Sequence, residues 1–223
     1  MTQAARVMTG RAPRFRDETP PAEGAIVVRM GTSPKAEAAP TDAELLGGYA
    51  GGDQSAARTL TLRHAPRVFA LARRMLGDAA EAEDVTQETM LRLWRIAPDW
   101  EEGRAAVGTW LYRVASNLCV DRLRRRREVG SDALPEIADE APGAAARLEA
   151  RDRAAALETA LAALPDRQRL AVVLRHFEER PNPEIAAILG VSVEAVESLL
   201  ARGRRDLAAR LAPRRAELGF SDG

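Results

Sequence analysis

One stretch near the carboxyl end leaves the chain little freedom in how it folds. Asn182-Pro183-Glu184 combines an N-cap residue, a proline at the first helical position and an early acid, a set that starts a helix. Gly190 suits the left-handed C′ position that ends a helix, and Ser192 caps a second helix from Val193 onward. Two helices joined by a turn of about three or four residues containing glycine make a helix-turn-helix. Ile185, Ala186, Leu189, Val193, Val196 and Leu200 form its expected core. Glu194, Glu197, Ser198, Ala201, Arg202 and Arg205 are left on the outer face of the second helix, where major-groove contacts are made.

A second stretch, Thr109–Arg127, has the same helical period and a different chemistry. Leu111, Val114, Ala115, Leu118 and Leu123 recur every three or four residues and form one apolar stripe. Arg113, Asn117, Asp121 and Arg124 form a polar stripe at the same spacing, and the stretch closes on Arg124-Arg125-Arg126-Arg127. Between Arg104 and Arg127 the arginines at 104, 113, 122 and 124–127 face one acid, Asp121. A helix with one buried and one cationic face, rimmed by Trp110 and Tyr112, suits a polyanion. Arginines there supply salt-dependent affinity, and aromatics beside them can hold unstacked bases.

The remaining elements read as helices too. Thr41-Asp42-Ala43-Glu44 has capping-box spacing, and the short helix it opens ends at Gly51-Gly52. Asp53 caps a longer helix containing Pro66, whose expected core face is Ala57, Leu60, Leu62, Val68, Phe69, Ala72 and Leu76, and Gly77 closes it. A third helix, 79–97, ends at Pro98 and carries Glu81, Glu83, Asp84 and Glu88 in its first half. Acids suit a helix N-terminus, so dipole compensation is one reading of that cluster and a partner surface is the other. Beyond an acidic, proline-containing linker, Ala144–Leu164 and Asp166 to about Glu178 are helical, the latter with Leu170, Val173, Leu174 and Phe177 facing inward.

The expected fold is therefore all-α: two small helical domains, 41–127 and 144–213, on a flexible joint at 128–143. Residues 1–40 read as a disordered extension, with a true start at Met30 as the alternative, and 214–223 as a tail.

Composition narrows the function by exclusion. The 33 basic residues balance 33 acidic ones, yet acids dominate 42–102 while 104–127 and the turns from Arg202 to Arg215 are basic. Such segregation separates a protein-binding face from a phosphate-binding face. Lys35 is the only lysine, which fits either bidentate phosphate contacts or a GC-biased codon choice. Cys119 is the only cysteine, so neither an internal disulfide nor a multi-cysteine metal site can form. No run of 18 apolar residues or signal-peptide core is present, and a cytoplasmic protein without membrane insertion is expected. His64 and His176 have no partner at helical spacing and read as ordinary surface or boundary residues. No catalytic residue, metal site, cofactor or small-molecule substrate is expected.

Taken together, DVTQETMLRLW (84–94), GTWLYRVASNLCVDRLRRRR (108–127), a linker, LPDRQRLAVVLRHFE (164–178) and NPEIAAILGVSVEAVESLLARGRRDL (182–207) resemble bacterial RNA polymerase sigma factors. Order and spacing resemble the extracytoplasmic-function group, which keeps only the second and fourth sigma regions. The resemblance implies a promoter-specificity subunit whose partners are core RNA polymerase (the β′ clamp and β flap), promoter DNA and an anti-sigma factor. It assigns Asp84, Gln87, Glu88, Leu91 and Trp94 to docking on the clamp. It assigns Trp110, Arg113, Asn117, Asp121, Arg122, Arg124 and Arg125 to the minus-ten element, with the loop Trp100–Gly108 capturing a flipped base. Glu194, Glu197, Ser198, Ala201, Arg202 and Arg205 fall to the minus-35 element. Two positions depart from the family pattern. Glu197 either accepts from a cytosine amino group or pairs with Arg202, and Ala201 is small enough to touch a thymine methyl. The competing expectation is a stand-alone helix-turn-helix regulator with an N-terminal sensing or dimerisation domain.

Overall fold

A computed structural model describes residues 39–101, 103, 105–130 and 145–214, and every regular element among them is helical. The predicted extension, most of the linker and most of the tail lie outside these residues. The first half holds α1 (Asp42–Ala50), α2 (Gln54–Leu76), α3 (Ala79–Ile96) and α4 (Val107–Glu128). The second holds α5 (Ala145–Ala162), α6 (Asp166–His176), α7 (Asn182–Leu189) and α8 (Val193–Leu211).

Local chemistry sets most of the boundaries. The Thr41 hydroxyl accepts from the Glu44 backbone N–H, and the Glu44 carboxylate accepts from the Thr41 N–H at 2.7 Å, a complete capping box. Asp53 and Asp78 cap α2 and α3 by accepting backbone N–H bonds at 2.8 and 2.9 Å. Gly77 and Gly190 close α2 and α7 in the left-handed region, with φ of 74° and 65°. Ser192 caps α8 through the Ala195 N–H.

Asn182 departs from its expected role. The Pro181 carbonyl already accepts from Glu184 and Ile185, so α7 begins one residue early with Pro181 at the cap. Asn182 is thereby drawn inside the first turn, and its Oδ1 is buried without a partner.

The buried stripe of α2 runs through Ala56, Leu60, His64, Val68, Leu71, Ala72, Met75 and Leu76. Leu62, expected in the core, is 68% exposed, because it lies about 200° round the helix from Leu60. His64 is also not an ordinary surface residue. It is buried, and its Nε2 lies 2.7 Å from Asp42 Oδ2, which ties α1 to α2. In α6 burial is all-round: Ala171 and Val172 are as buried as Leu170, Val173 and Leu174, while Phe177 is only half-buried. One face of α6 meets α8 so closely that a Cβ on Gly203 would stand 2.7 Å from Val172 Cγ2.

The other face of α6 belongs to a seam between the halves, which form one compact unit from Pro40 onward. There the Tyr112 hydroxyl donates to Glu178 at 2.8 Å and the Thr109 hydroxyl to Glu184 at 3.1 Å. Arg180 lies over the Tyr112 ring at 5.0 Å and Arg74 over the Phe177 ring at 4.6 Å. Arg169, buried at the same seam, donates to the Arg74 carbonyl at 2.6 Å.

Candidate nucleic-acid interface

α3 presents its predicted docking residues together. Asp84, Gln87 and Leu91 are exposed, and Glu88 and Trp94 half-buried on the same side. Trp94 rests on the Tyr49 ring, with centroids 4.7 Å apart, which fixes the indole at the edge of this face. An exposed leucine beside a braced tryptophan is an apolar patch within an acidic surface. Arg92 donates to Glu88 at 2.8 Å and holds its carboxyl below the usual carboxylate range.

On α4 the predicted residues separate. At about 100° per residue, Trp110, Arg113, Asn117, Asp121 and Arg124 fall within a strip about 80° wide. Arg113 and Asn117 are exposed and, among the described residues, have no side-chain partner. Trp110 is half-buried, its ring edge-on to Trp100 with centroids 6.0 Å apart, so the two indoles brace the start of the helix. Glu102 and Arg104, in the loop expected to capture a base, lie outside the described residues; Val107, at its end, is buried. Arg122 leaves the strip. It faces α3, with Nη2 3.9 Å from Asp84 Oδ2 and Nη1 buried without a partner.

The arginine run is divided in the same way. Arg126 bonds to Glu81 at 2.7 Å and to the Leu76 carbonyl at 2.9 Å, which ties α4 to α3 and to the end of α2. Arg127 pairs with Asp166 of α6. Arg124 stands 3.5 Å from Asp121 and 3.8 Å from Glu128, and Arg125 is exposed and has no partner among the described residues.

Tyr112, expected to rim the cationic face, is buried at the seam instead. Burial, and then its bond to Glu178, raise its hydroxyl pKa well above the ordinary tyrosine value. The sequence offered no sign of this, because both acceptor and covering cation come from the second half. Cys119 packs on the inward face, where burial pushes its thiol up to about 12.

α8 keeps its predicted outer face intact. Glu194, Glu197, Ser198, Ala201, Arg202 and Arg205 are all exposed. Arg202 Nε donates to the Ser198 carbonyl at 3.2 Å, and Glu197 has no ion-pair partner among the described residues. Of the two readings of Glu197, pairing with Arg202 is therefore not realised here. No group of His, Cys, Asp and Glu that could hold a metal occurs among the described residues. No helix among them is long and apolar enough to cross a membrane.

Known proteins share this arrangement. The Sigma-70 region 2 pattern matches residues 60–129, and the Sigma-70 region 4 pattern matches residues 154–207. The ECF RNA polymerase sigma factor SigE of Mycolicibacterium smegmatis is 38% identical over 177 residues, covering 76% of this chain and 68% of its own length. The chain belongs to the ECF sigma factors. SigM of Mycobacterium tuberculosis is 35% identical over 168 residues, covering 75% of this chain and 83% of that protein. The structure of CnrH with the cytosolic domain of CnrY is similar at a TM-score of 0.58 and 31% identity, covering 77% of this chain and 97% of that one. The sigma factor RpoE with the anti-sigma factor NepR, from Bartonella quintana, is similar at 0.56 and 25%, covering 70% and 96%. Membership sets aside the stand-alone regulator, because the residues that reading gave to a sensing domain are those matched by sigma region 2. As an ECF sigma factor, the chain is a promoter-specificity subunit of RNA polymerase.

Proposed function

We propose that three faces of this sigma factor divide promoter recognition between the two halves. α3 docks on the polymerase β′ clamp through Asp84, Gln87, Glu88, Leu91 and Trp94. α4 meets the minus-ten element through Trp110, Arg113, Asn117, Asp121 and Arg124, with Arg125 on the backbone. α8 reads the minus-35 element through Glu194, Glu197, Ser198, Ala201, Arg202 and Arg205. The working domains are 41–127 and 144–213, the second also engaging the β flap. Melting is driven by binding: stabilising an extruded base offsets the few kcal/mol lost on unstacking, and no side chain supplies chemistry. The site of action is the cytoplasm. An anti-sigma partner follows from the relatives, one of which is seen with the anti-sigma factor NepR.

The supporting observation is that α4 and α8 each expose a polar strip in which Arg113 and Asn117 on α4, and Glu197 and Arg205 on α8, have no side-chain partner among the described residues, beside an α3 face carrying exposed Leu91 and half-buried Trp94. Arg122 has a distinct part. Its approach to Asp84 links the docking helix to the melting helix, so it is a positioning residue.

In vitro transcription with core polymerase over a promoter library tests the whole reading. Specific initiation is expected, with weak DNA binding by the free chain. Nanomolar duplex binding without polymerase, and no transcription with it, would overturn it. Asn117→Ala should weaken open-complex formation more than duplex binding; equal losses in both assays would remove α4 as the melting surface.

A further inference from the structure

The first turn of α4 has little of its own to hold it in place. Its N-cap, Ala106, offers no side-chain acceptor to the leading N–H groups. Gly108, at the second helical position, is the poorest helix former after proline and has no side chain to pack. Behind it stands buried His64 of α2. A Cβ on Gly108 would lie 3.6 Å from His64 Cε1 and 4.0 Å from Nδ1. The other ring nitrogen is fixed from α1: Nε2 lies 2.7 Å from Asp42 Oδ2, and since a carboxylate only accepts, Nε2 is the donor. Asp42 is held in turn by Arg63, which donates to its Oδ1 and to the Pro40 carbonyl.

Helix geometry says what this contact controls. At about 100° per residue, Gly108 lies about 140–180° round α4 from Trp110, Arg113 and Asn117, directly behind the exposed strip. The imidazole therefore bears on the back of the turn whose front carries Trp110, and a shift of the ring moves that front towards or away from DNA. The same short helix acts on the other indole. α1 packs against the turn Ala97–Asp99 that leads into Trp100, and its Tyr49 braces Trp94. Trp100 and Trp110, edge-on at 6.0 Å, thus share one support. Asp42 precedes the residues 60–129 that the sigma region 2 pattern matches.

We propose that Asp42 and His64 are a positioning pair for the minus-ten strand. The carboxylate orients the imidazole, and the imidazole sets the depth at which Trp110 and the first turn of α4 meet an extruded base. The inference rests on the reading of α4 as the minus-ten helix. In this role neither residue touches DNA; both act through the backbone at Gly108. A binding site loses precision when the side chains supporting it are loose.

The test uses the full chain assembled with core polymerase. The probes are single-stranded oligonucleotides carrying the non-template minus-ten element that this holoenzyme selects from a randomised library. Each base is replaced in turn by an abasic site. In the wild type one position should weaken binding about tenfold, the size of one stacked base. His64→Ala should shrink that penalty to about threefold or less, and Asp42→Asn should shrink it part of the way. His64→Gln should restore it, because the amide nitrogen can donate to the same carboxylate. Val68→Ala, one turn further along the buried stripe of α2, separates positioning from stability. It should lower the melting temperature and leave the abasic penalty unchanged. Binding to a duplex minus-35 element should be the same in all variants. Wild-type penalties in both His64→Ala and Asp42→Asn overturn the pair. So does a penalty lost equally in Val68→Ala, or one that His64→Gln fails to restore. Asp42→Asn, which keeps the volume, decides the matter if His64→Ala fails to fold. A wild-type chain with no abasic penalty at any position overturns the reading of α4 itself, and that result is separate from any outcome at His64.

Discussion

α4 and α8 carry comparable runs of arginine and use them in different ways. On α4, Arg122, Arg126 and Arg127 turn to Asp84, Glu81 and Asp166 on neighbouring helices, and Arg124 stays with Asp121 and Glu128 of its own helix. On α8, Arg204 and Arg205 are exposed without side-chain partners among the described residues, and Arg202 donates to the carbonyl of Ser198. The difference follows from where each helix packs. α4 is wedged among α2, α3, α6 and α7, so cations near its end meet acids and carbonyls of those helices. α8 packs one face on α6, where Gly203 permits close approach, and turns the other outward. Arginine count is therefore a poor measure of a nucleic-acid surface; what counts is whether the guanidinium is already satisfied.

The largest effect that can break this comparison concerns the inward face of α4. Buried, and with its thiol pushed up to about 12, Cys119 should react with a disulfide reagent at pH 8 far more slowly in the folded protein than in urea. Fast modification would show that this face opens and that α4 is not wedged.

Next comes the arginine run. Arg126→Ala strips a half-buried Glu81 and the Leu76 carbonyl of a charged partner and should cost about 1–3 kcal/mol by urea denaturation. Arg205→Ala, a solvated residue, should stay within about 0.5 kcal/mol. Equal costs would erase the contrast.

The back of α8 is tested by Gly203→Ala. A Cβ 2.7 Å from Val172 Cγ2 should cost about 1–2 kcal/mol through overpacking, read as a lower melting temperature. No change would mean that α6 and α8 can separate freely.

The smallest effect is a pH dependence. The pKa of His176 is lowered by burial, Arg204 and Arg175, so the folded chain takes up its proton less readily than the unfolded chain. Stability is complete above the ordinary histidine value and declines slightly as pH falls through it. His176→Gln should flatten that decline, read by urea denaturation at pH 7.5 and 6.

Much of this was legible beforehand. The caps at Thr41, Asp53, Asp78 and Ser192 and the glycine stops at Gly77 and Gly190 act over a few residues, so local chemistry fixes them. Asn182 was misassigned because its neighbour Pro181 already offers a carbonyl in cap geometry, a one-residue competition that pattern cannot resolve. The outer face of α8 could be read because periodicity separates it from a core of Val196 and Leu200. The neighbours of that helix could not, since Arg175 and His176 line one cavity with Arg204 although they come from α6.

By itself the sequence determined the kind of protein this is: its helices and their ends, the helix-turn-helix, and the set of side chains available to a polymerase and to DNA. These depend on contacts within about one helical turn, which the order of residues encodes directly. Only the tertiary structure decided which cations remain free. Tyr112 meets Glu178 66 residues away, and Arg126 meets Glu81 45 residues away. Whether a charge faces solvent or a partner depends on which helices pack beside it, and no local period carries that information.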